Sequence, residues 1–360
     1  AFSNGVTGHA LDYDDTHFES FVHPSAVVIP ASLAVADKIN CASVKFYDAT
    51  LVGVELAIRI GIWLGRTHYL KGFHVTPTAG AFGAAMAAAR ILDMNFEQAK
   101  NAIGLTASRA SGIRAQFGTM GKPFHAGIAS SSGVEAALLA KKGLISAPNA
   151  LEEPLGFGET HGGAFFEEAF SGLGKEFVFE TIKHKFHACC HGTHSTIEAL
   201  KAIRQKTNFE LSEIKKIDLV VNPSYLTICN IDKPKTGLQA KFSFKLAAAL
   251  AVSEYDTANL NTFSDDLCRL TSLNKLRDLV NVDSDTEVSE TQTTVSVQLH
   301  TGKILKNTHD LSKGLPIQIK ERKIRQKARS LIGDSLATNL WKKVGLADQL
   351  PSRWIENNTL

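Results

Sequence analysis

At 360 residues the chain can bury about three-quarters of its unfolded surface and exceeds the size at which one core usually divides, so two domains are expected. Hydrophobic residues at 44% and charged residues at 21% exclude a disordered or fibrous protein. The 39 basic and 36 acidic residues leave a formal charge of +3, too weak to imply nucleic acid or an anionic membrane as a partner. Any anion specificity must therefore be local.

In chain order, the first dense cluster of titratable groups is LDYDDTHFESFVHPS, residues 11–25. If VTGHALDYDDT (6–16) is helical, His9, Asp12 and Thr16 share a face, with Asp15 on the side of Asp12. A carboxylate there would orient a nearby imidazole and raise its pKa, keeping it useful for acid–base chemistry near neutrality. Asp12 is assigned that role, whereas Asp14, Asp15 and Glu19 are assigned to solvent or to helix capping.

Proline is favoured in the first turn of a helix, where its missing N–H costs nothing. Three such starts follow. His23 precedes Pro24, which opens PSAVVIPASLAVADK, with a bend expected at Pro30. In FHVTPTAGAFG, Thr76 is the expected cap, Pro77 starts the helix and His74 lies just outside. In GTMGKPFHAG, Lys122 precedes Pro123 and His125 falls in the first turn. Each end offers unpaired N–H groups and a positive dipole pole beside a basic side chain, which suits a carboxylate or phosphate. If the three converge, they form a pocket for a small polycarboxylate.

Between these starts, LVGVELAIRIGIWLG (51–65) is too short for a membrane span and carries Glu55 and Arg59, so it reads as a buried helix with an internal ion pair. Small residues in GAFGAAMAAARIL (80–92) and GVEAALLAKKG (133–143) allow close helix approach. A glycine-punctuated stretch at 146–180 reads as a long connection and a candidate hinge.

Beyond it the texture changes. KFHACCHGTHS (185–195) places His187, His191 and His194 at helical spacings around Cys189 and Cys190. Metal binding there is set aside, because no carboxylate ligand lies close by and the cysteines are adjacent. IKKIDLVVNP (214–223) and TQTTVSVQLHTGKIL (291–305) alternate with period two, the second as a hairpin around Thr-Gly. Helical patterns at 193–206, 240–252 and 264–281 separate them, giving an α+β unit. A basic helix at 319–332 reads as a solvated face and is expected to return to the first domain. The five cysteines, odd in number and without CxxC spacing, fit a reducing, cytoplasmic setting, and no secretory leader opens the chain. The fold class is thus mainly α: a helical domain over 1–180, a smaller α+β domain over 181–315, and C-terminal helices over 316–360.

Five ordered blocks, NGVTGHALDYDDTHFESFVHPS, GFHVTPTAGAFGAA, FGTMGKPFHAG, KFHACCHGTHS and TGLQAKFSF, resemble the MmgE/PrpD family, which includes 2-methylcitrate dehydratases, cis-aconitate decarboxylases and iminodisuccinate epimerases. The resemblance implies a large helical domain with a smaller α+β lid, a homodimer, and a site between the domains that uses no metal or cofactor. It places Asp12, Thr16, His23, His74 and Lys122 at active-site positions of the helical domain and Tyr225 at a lid tyrosine. Cys190 stands where the decarboxylases have a histidine, which argues against a decarboxylase. Gly121 and the IASSSG run depart from the commoner pattern, and family members carry a further helical segment before the equivalent of Ala1. The expected activity is acid–base chemistry on a small polycarboxylate by a 2-methylcitrate-dehydratase-like lyase. His23, His74, Asp12 and Lys122 would carry the chemistry, and Thr16, His125, Cys190 and Tyr225 would contact substrate. An iminodisuccinate-epimerase-like isomerase and a non-catalytic polycarboxylate-binding protein are the alternatives.

Overall fold

The computed structural model describes residues 1–344, so residues 345–360 of the expected C-terminal helices lie outside the described residues. The protein is mainly helical and divides into two compact units. Among the described residues, one comprises Ala1–Ala10, Asp14–His184 and 338–344; the other comprises Leu11–Tyr13 and Lys185–Ala337.

The first unit contains α1 (Phe2–Ala10), α2 (Ser25–Ile39), α3 (Ser43–Leu70), α4 (Val75–Ile91), α5 (Phe96–Ala107), α6 (Gly121–Lys141) and the short α7 (Phe157–Thr160). Its centre is α4, whose alanines and glycines are buried almost all round. Their small size lets neighbouring backbones approach: a methyl group on Gly83 would lie 2.4 Å from the Gly53 carbonyl oxygen of α3, and one on Gly133 of α6 would lie 2.6 Å from that of Ala81. Neither site tolerates a Cβ without moving a helix. Asp15 satisfies the start of α2 by accepting hydrogen bonds from Ser25 N–H (3.1 Å) and Ser25 Oγ (2.6 Å), as its expected capping role requires. The helix continues through Pro30.

The expected ion pair inside α3 is present and buried, with Arg59 Nε donating to Glu55 Oε1 at 2.7 Å. It does more than stabilise its own helix. Arg59 also donates to the carbonyls of Ala169 (2.6 Å), Ser171 (2.9 Å) and Glu176 (2.7 Å), while Glu55 accepts from the N–H groups of Val178 and Phe179. Two charges on one helix thus satisfy the backbone of the glycine-rich connection, which has little regular structure of its own.

The second unit contains α8 (His194–Lys206), β1 (Ile214–Val221), α9 (Gly237–Ala240), α10 (Phe244–Val252), α11 (Asp265–Arg269), α12 (Thr271–Arg277), β2 (Val280–Ser284), β3 (Gln292–Leu299), β4 (Ile304–Asp310) and α13 (Ile317–Ile332); α14 (Asp334–Val344) follows. The sheet has the order β2-β1-β3-β4, with β1 and β2 parallel and the other pairs antiparallel. The expected hairpin is β3–β4, turning at Gly302 in a positive-φ conformation. Ile217, Leu219, Val295 and Val297 alternate inward and share one core with Ile197, Leu200, Leu246 and Leu250 of α8 and α10.

Two helical expectations need correction. The pattern at 240–252 breaks because Ser243 caps a new helix, accepting from Leu246 N–H at 3.2 Å. The pattern at 264–281 splits into two short helices and then yields Val280 to β2, an edge strand recognisable only through its pairing with β1. Nor is the basic helix simply solvated. Lys323 Nζ lies 2.5 Å from Glu198 Oε1 and Lys327 Nζ donates to the Tyr13 carbonyl at 2.5 Å, while Arg325 and Arg329 pair with Glu321 and Asp334. All of α13 belongs to the second unit. No helix among the described residues is long and apolar enough to cross a membrane.

Removing one partner of a buried pair leaves an uncompensated charge. Arg59→Met is therefore expected to destabilise the first unit by about 3–5 kcal/mol, whereas the double variant Glu55→Leu, Arg59→Met recovers part of the loss. Urea denaturation followed by circular dichroism measures both, and equal losses in the two variants would show that the charge itself is unimportant.

Candidate active site

His74 occupies the N-cap position of α4, with its backbone N–H bonded to the Gly112 carbonyl at 3.0 Å. Thr76 does not cap this helix as expected; its Oγ1 accepts instead from the N–H of His23 at 3.1 Å. That bond ties the chain entering α2 to the first turn of α4. Lys122 is the second residue of α6 and His125 the fifth, Lys122 being only 6% exposed. Nδ1 of His74 and Nδ1 of His125 are 3.2 Å apart, so one ring donates and the other accepts. His74 Nε2 is buried without a hydrogen-bond partner among the described residues. The Phe117 ring meets His74 edge-on, with centroids 5.0 Å apart.

The stretch 6–16 is not one continuous helix. It leaves α1 after Ala10 and passes through Asp12 with φ 58°, a left-handed conformation. Asp12 and Thr16 therefore lie beyond the helical phase that would place them on the face of His9. Asp14, assigned above to solvent or capping, is the carboxylate set among the imidazoles. Its side chain is 5% exposed, and its Oδ2 lies 3.1 Å from Nδ1 of both His9 and His23. His23 Nδ1 also lies 2.7 Å from the Asp15 carbonyl and 3.1 Å from Thr16 Oγ1. A carbonyl can only accept, so Nδ1 of His23 carries a proton and Nε2 is the nitrogen left to exchange one. The His9 ring lies between these groups, its centroid 5.7 Å from that of His74 and 5.5 Å from that of His23.

His23, His74, Lys122, His125 and Thr16 are therefore gathered in the first unit, joined by His9 and Asp14. Burial holds the pKa of His74 well below that of a free imidazole, and His9, Lys122, His125 and His23 press it further the same way. Burial, then His9 and Lys122, also lower that of His125. Both rings are neutral at pH 7, in a region that the helix N-termini and Lys122 make electropositive.

Asp12, Cys190 and Tyr225 belong to the second unit. Asp12 Oδ1 lies 2.5 Å from Nζ of Lys185, both side chains being buried. Lys241 Nζ donates to the Leu11 carbonyl at 2.9 Å, and its own carbonyl accepts from Cys190 N–H at 3.0 Å. A hydrogen bond with the Cys229 thiol lowers the Cys190 pKa, while burial raises that of Cys229 well above the usual thiol value. The Tyr225 ring covers Gly192, where an added Cβ would lie 2.4 Å from the ring. His187 bonds Glu198 (3.2 Å) and Thr257 (2.7 Å), and its ring packs on His194. Sequence reasoning missed Lys185 and Asp14; Lys185 opens a noted block, but nothing in spacing pairs it with Asp12.

A mainly helical protein with a cluster of imidazoles and a lysine at helix N-termini is thus defined. The family profiles agree: the MmgE/PrpD N-terminal domain matches residues 1–167 and the MmgE/PrpD C-terminal domain matches residues 187–348. The chain belongs to the MmgE/PrpD family. It is similar to the human cis-aconitate decarboxylase, with 35% identity over 164 residues, 44% of this chain and 34% of that protein. The Aspergillus terreus cis-aconitate decarboxylase is 26% identical over 294 residues, 75% of this chain and 60% of that protein. The cis-aconitate decarboxylase-like protein oryM of Aspergillus oryzae is 29% identical over 222 residues, 57% of this chain and 46% of that protein. The chain thus spans between about a third and three-fifths of these relatives.

The neutral histidines couple stability to acidity. His17 and His68 are lowered by burial from 6.5 to about 4, in the same sense as His74. Between pH 6.5 and 4 the unfolded chain binds protons that the folded rings refuse, so stability falls as pH falls. For His68 alone the effect is roughly 3 kcal/mol across that window. Melting temperatures taken between pH 7.5 and 5 are expected to decline below about 6.5, with a shallower slope in His68→Gln. An unchanged slope in that variant would contradict the assignment.

Proposed function

We propose that the protein is a lyase that transfers protons at a carbon next to a carboxylate of a small polycarboxylate. The observation that carries this reading is His74, a neutral imidazole with Nε2 buried and unbonded, beside Lys122 at the N-termini of α4 and α6. Lys122 and the first N–H groups of these helices bind carboxylate oxygens and stabilise the enolate-like charge as it develops. His23 and His74 act as proton donor and acceptor. On the same reading Thr16 and His125 contact substrate oxygens, and Asp12, Cys190 and Tyr225 keep the roles that the family resemblance implies. The protein works as a homodimer without a metal or cofactor.

Two lyase reactions share this machinery. Decarboxylation expels carbon dioxide and leaves an electron pair that takes a proton on carbon; the similarity to cis-aconitate decarboxylases supports it. Dehydration removes a proton from carbon and protonates the departing hydroxyl. Cys190, in place of the histidine that the resemblance assigns to decarboxylases, supports that second reading with a 2-methylcitrate-like acid. Epimerisation would use the same groups from opposite faces.

Product analysis with cis-aconitate, 2-methylcitrate and iminodisuccinate separates the three reactions. In heavy water, deuterium is expected at the reacting carbon of the product or recovered substrate, with His74→Ala reducing its incorporation by about 10²–10⁴-fold. Binding of citrate with no turnover and no exchange of any of these acids would sink the lyase reading and leave a polycarboxylate-binding protein.

A further inference from the structure

The roles proposed for His23 and His74 require their rings to be held, and the residues that surround them show how. A single carboxylate oxygen, Asp14 Oδ2, stands 3.1 Å from Nδ1 of His9 and 3.1 Å from Nδ1 of His23. Asp14 is brought back onto His9, five residues earlier, by the end of α1 at Ala10 and the left-handed backbone at Asp12. The His9 ring lies nearly parallel to that of His74, at 21° and 5.7 Å between centroids, and at 51° and 5.5 Å to that of His23. The neighbouring side chains that press on His74 electrostatically are His9, Lys122, His125 and His23, all basic. A buried carboxylate among such groups offsets their mutual repulsion and orients whatever it accepts from.

We infer that Asp14 and His9 form a positioning pair: Asp14 holds His9, which stacks on His74, and its charge stands beside the His23 ring, whose Nδ1 proton goes to the Asp15 carbonyl, so that one carboxylate helps to align both proton-transfer groups. The pair need not touch substrate. Misplacing an aligned group by about 1 Å costs up to about 10²-fold in rate. This inference rests on the lyase reading for its kinetic consequence but not for its structural one.

The test combines imidazole ¹⁵N NMR of the purified full chain with kinetics on whichever acid the wild type turns over. Asp14→Asn is expected to move the ring-nitrogen signals of both His9 and His23, and to lower kcat about 10–100-fold with KM within about twofold of wild type. His9→Gln is expected to move the His74 signals while leaving those of His23 in place, which holds even if Asp14→Asn fails to fold. Unmoved His74 signals in His9→Gln, or unmoved His9 and His23 signals in folded Asp14→Asn, would overturn the pairing. A kcat unchanged in folded Asp14→Asn would overturn its role in alignment. If the wild type turns over none of the acids, the lyase reading fails, while the NMR arm still decides whether the pair positions the rings.

Discussion

The contact between α4 and its neighbours governs where the chemistry can stand. At Gly83 and Gly133 the backbones come so close that a methyl group would overlap a carbonyl oxygen of the facing helix. Interiors are close-packed and deform little, so a helix held at such points cannot slide by a fraction of a turn without moving its ends. Those ends are the starts of α4 and α6, which carry His74, Lys122 and His125. Small residues in the middle of the unit thus determine the placing of polar residues at its edge, and the bond from His23 N–H to Thr76 Oγ1 adds the entrance of α2 to the same arrangement.

Once these ends are placed, electrostatics follow. Two helix N-termini and a lysine gather positive potential in a protein whose formal charge is only +3. Burial keeps His74 and His125 neutral, since two more charges there would be desolvated as well as repelled. Asp14 supplies negative charge between His9 and His23.

Membership of the MmgE/PrpD family rests on profile matches to both domains, and it agrees with the mainly helical fold. In the second unit the histidine run is held by its own polar neighbours. His187 serves Glu198 and Thr257, whereas the buried Asp12–Lys185 pair and the Cys190–Cys229 thiols lie outside the histidine run's own spacing. Adjacent residues in KFHACCHGTHS therefore have unrelated neighbours, which is why helical phase over that block was a poor guide. His191 opens only a 3-10 turn before α8 starts at His194.

Local signals carried what depends on a single segment. Prolines located the first turns of α2, α4 and α6, spacing of four residues found the Glu55–Arg59 pair, and alternation found β1, β3 and the turn into β4. The blocks that resemble the family were also legible, because they lie continuously along the chain. Tertiary structure decided the rest. Asp14 came to stand beside His9 and His23 because the end of α1 and one left-handed residue reset the phase of the chain. Lys185 met Asp12 across more than a hundred and seventy positions, |i−j| = 173, and β2 became a strand only beside β1. Periodicity describes which side chains share a face while a helix or strand lasts; which faces, ends and charges then meet is set by packing between distant segments, for which a linear pattern has no coordinate.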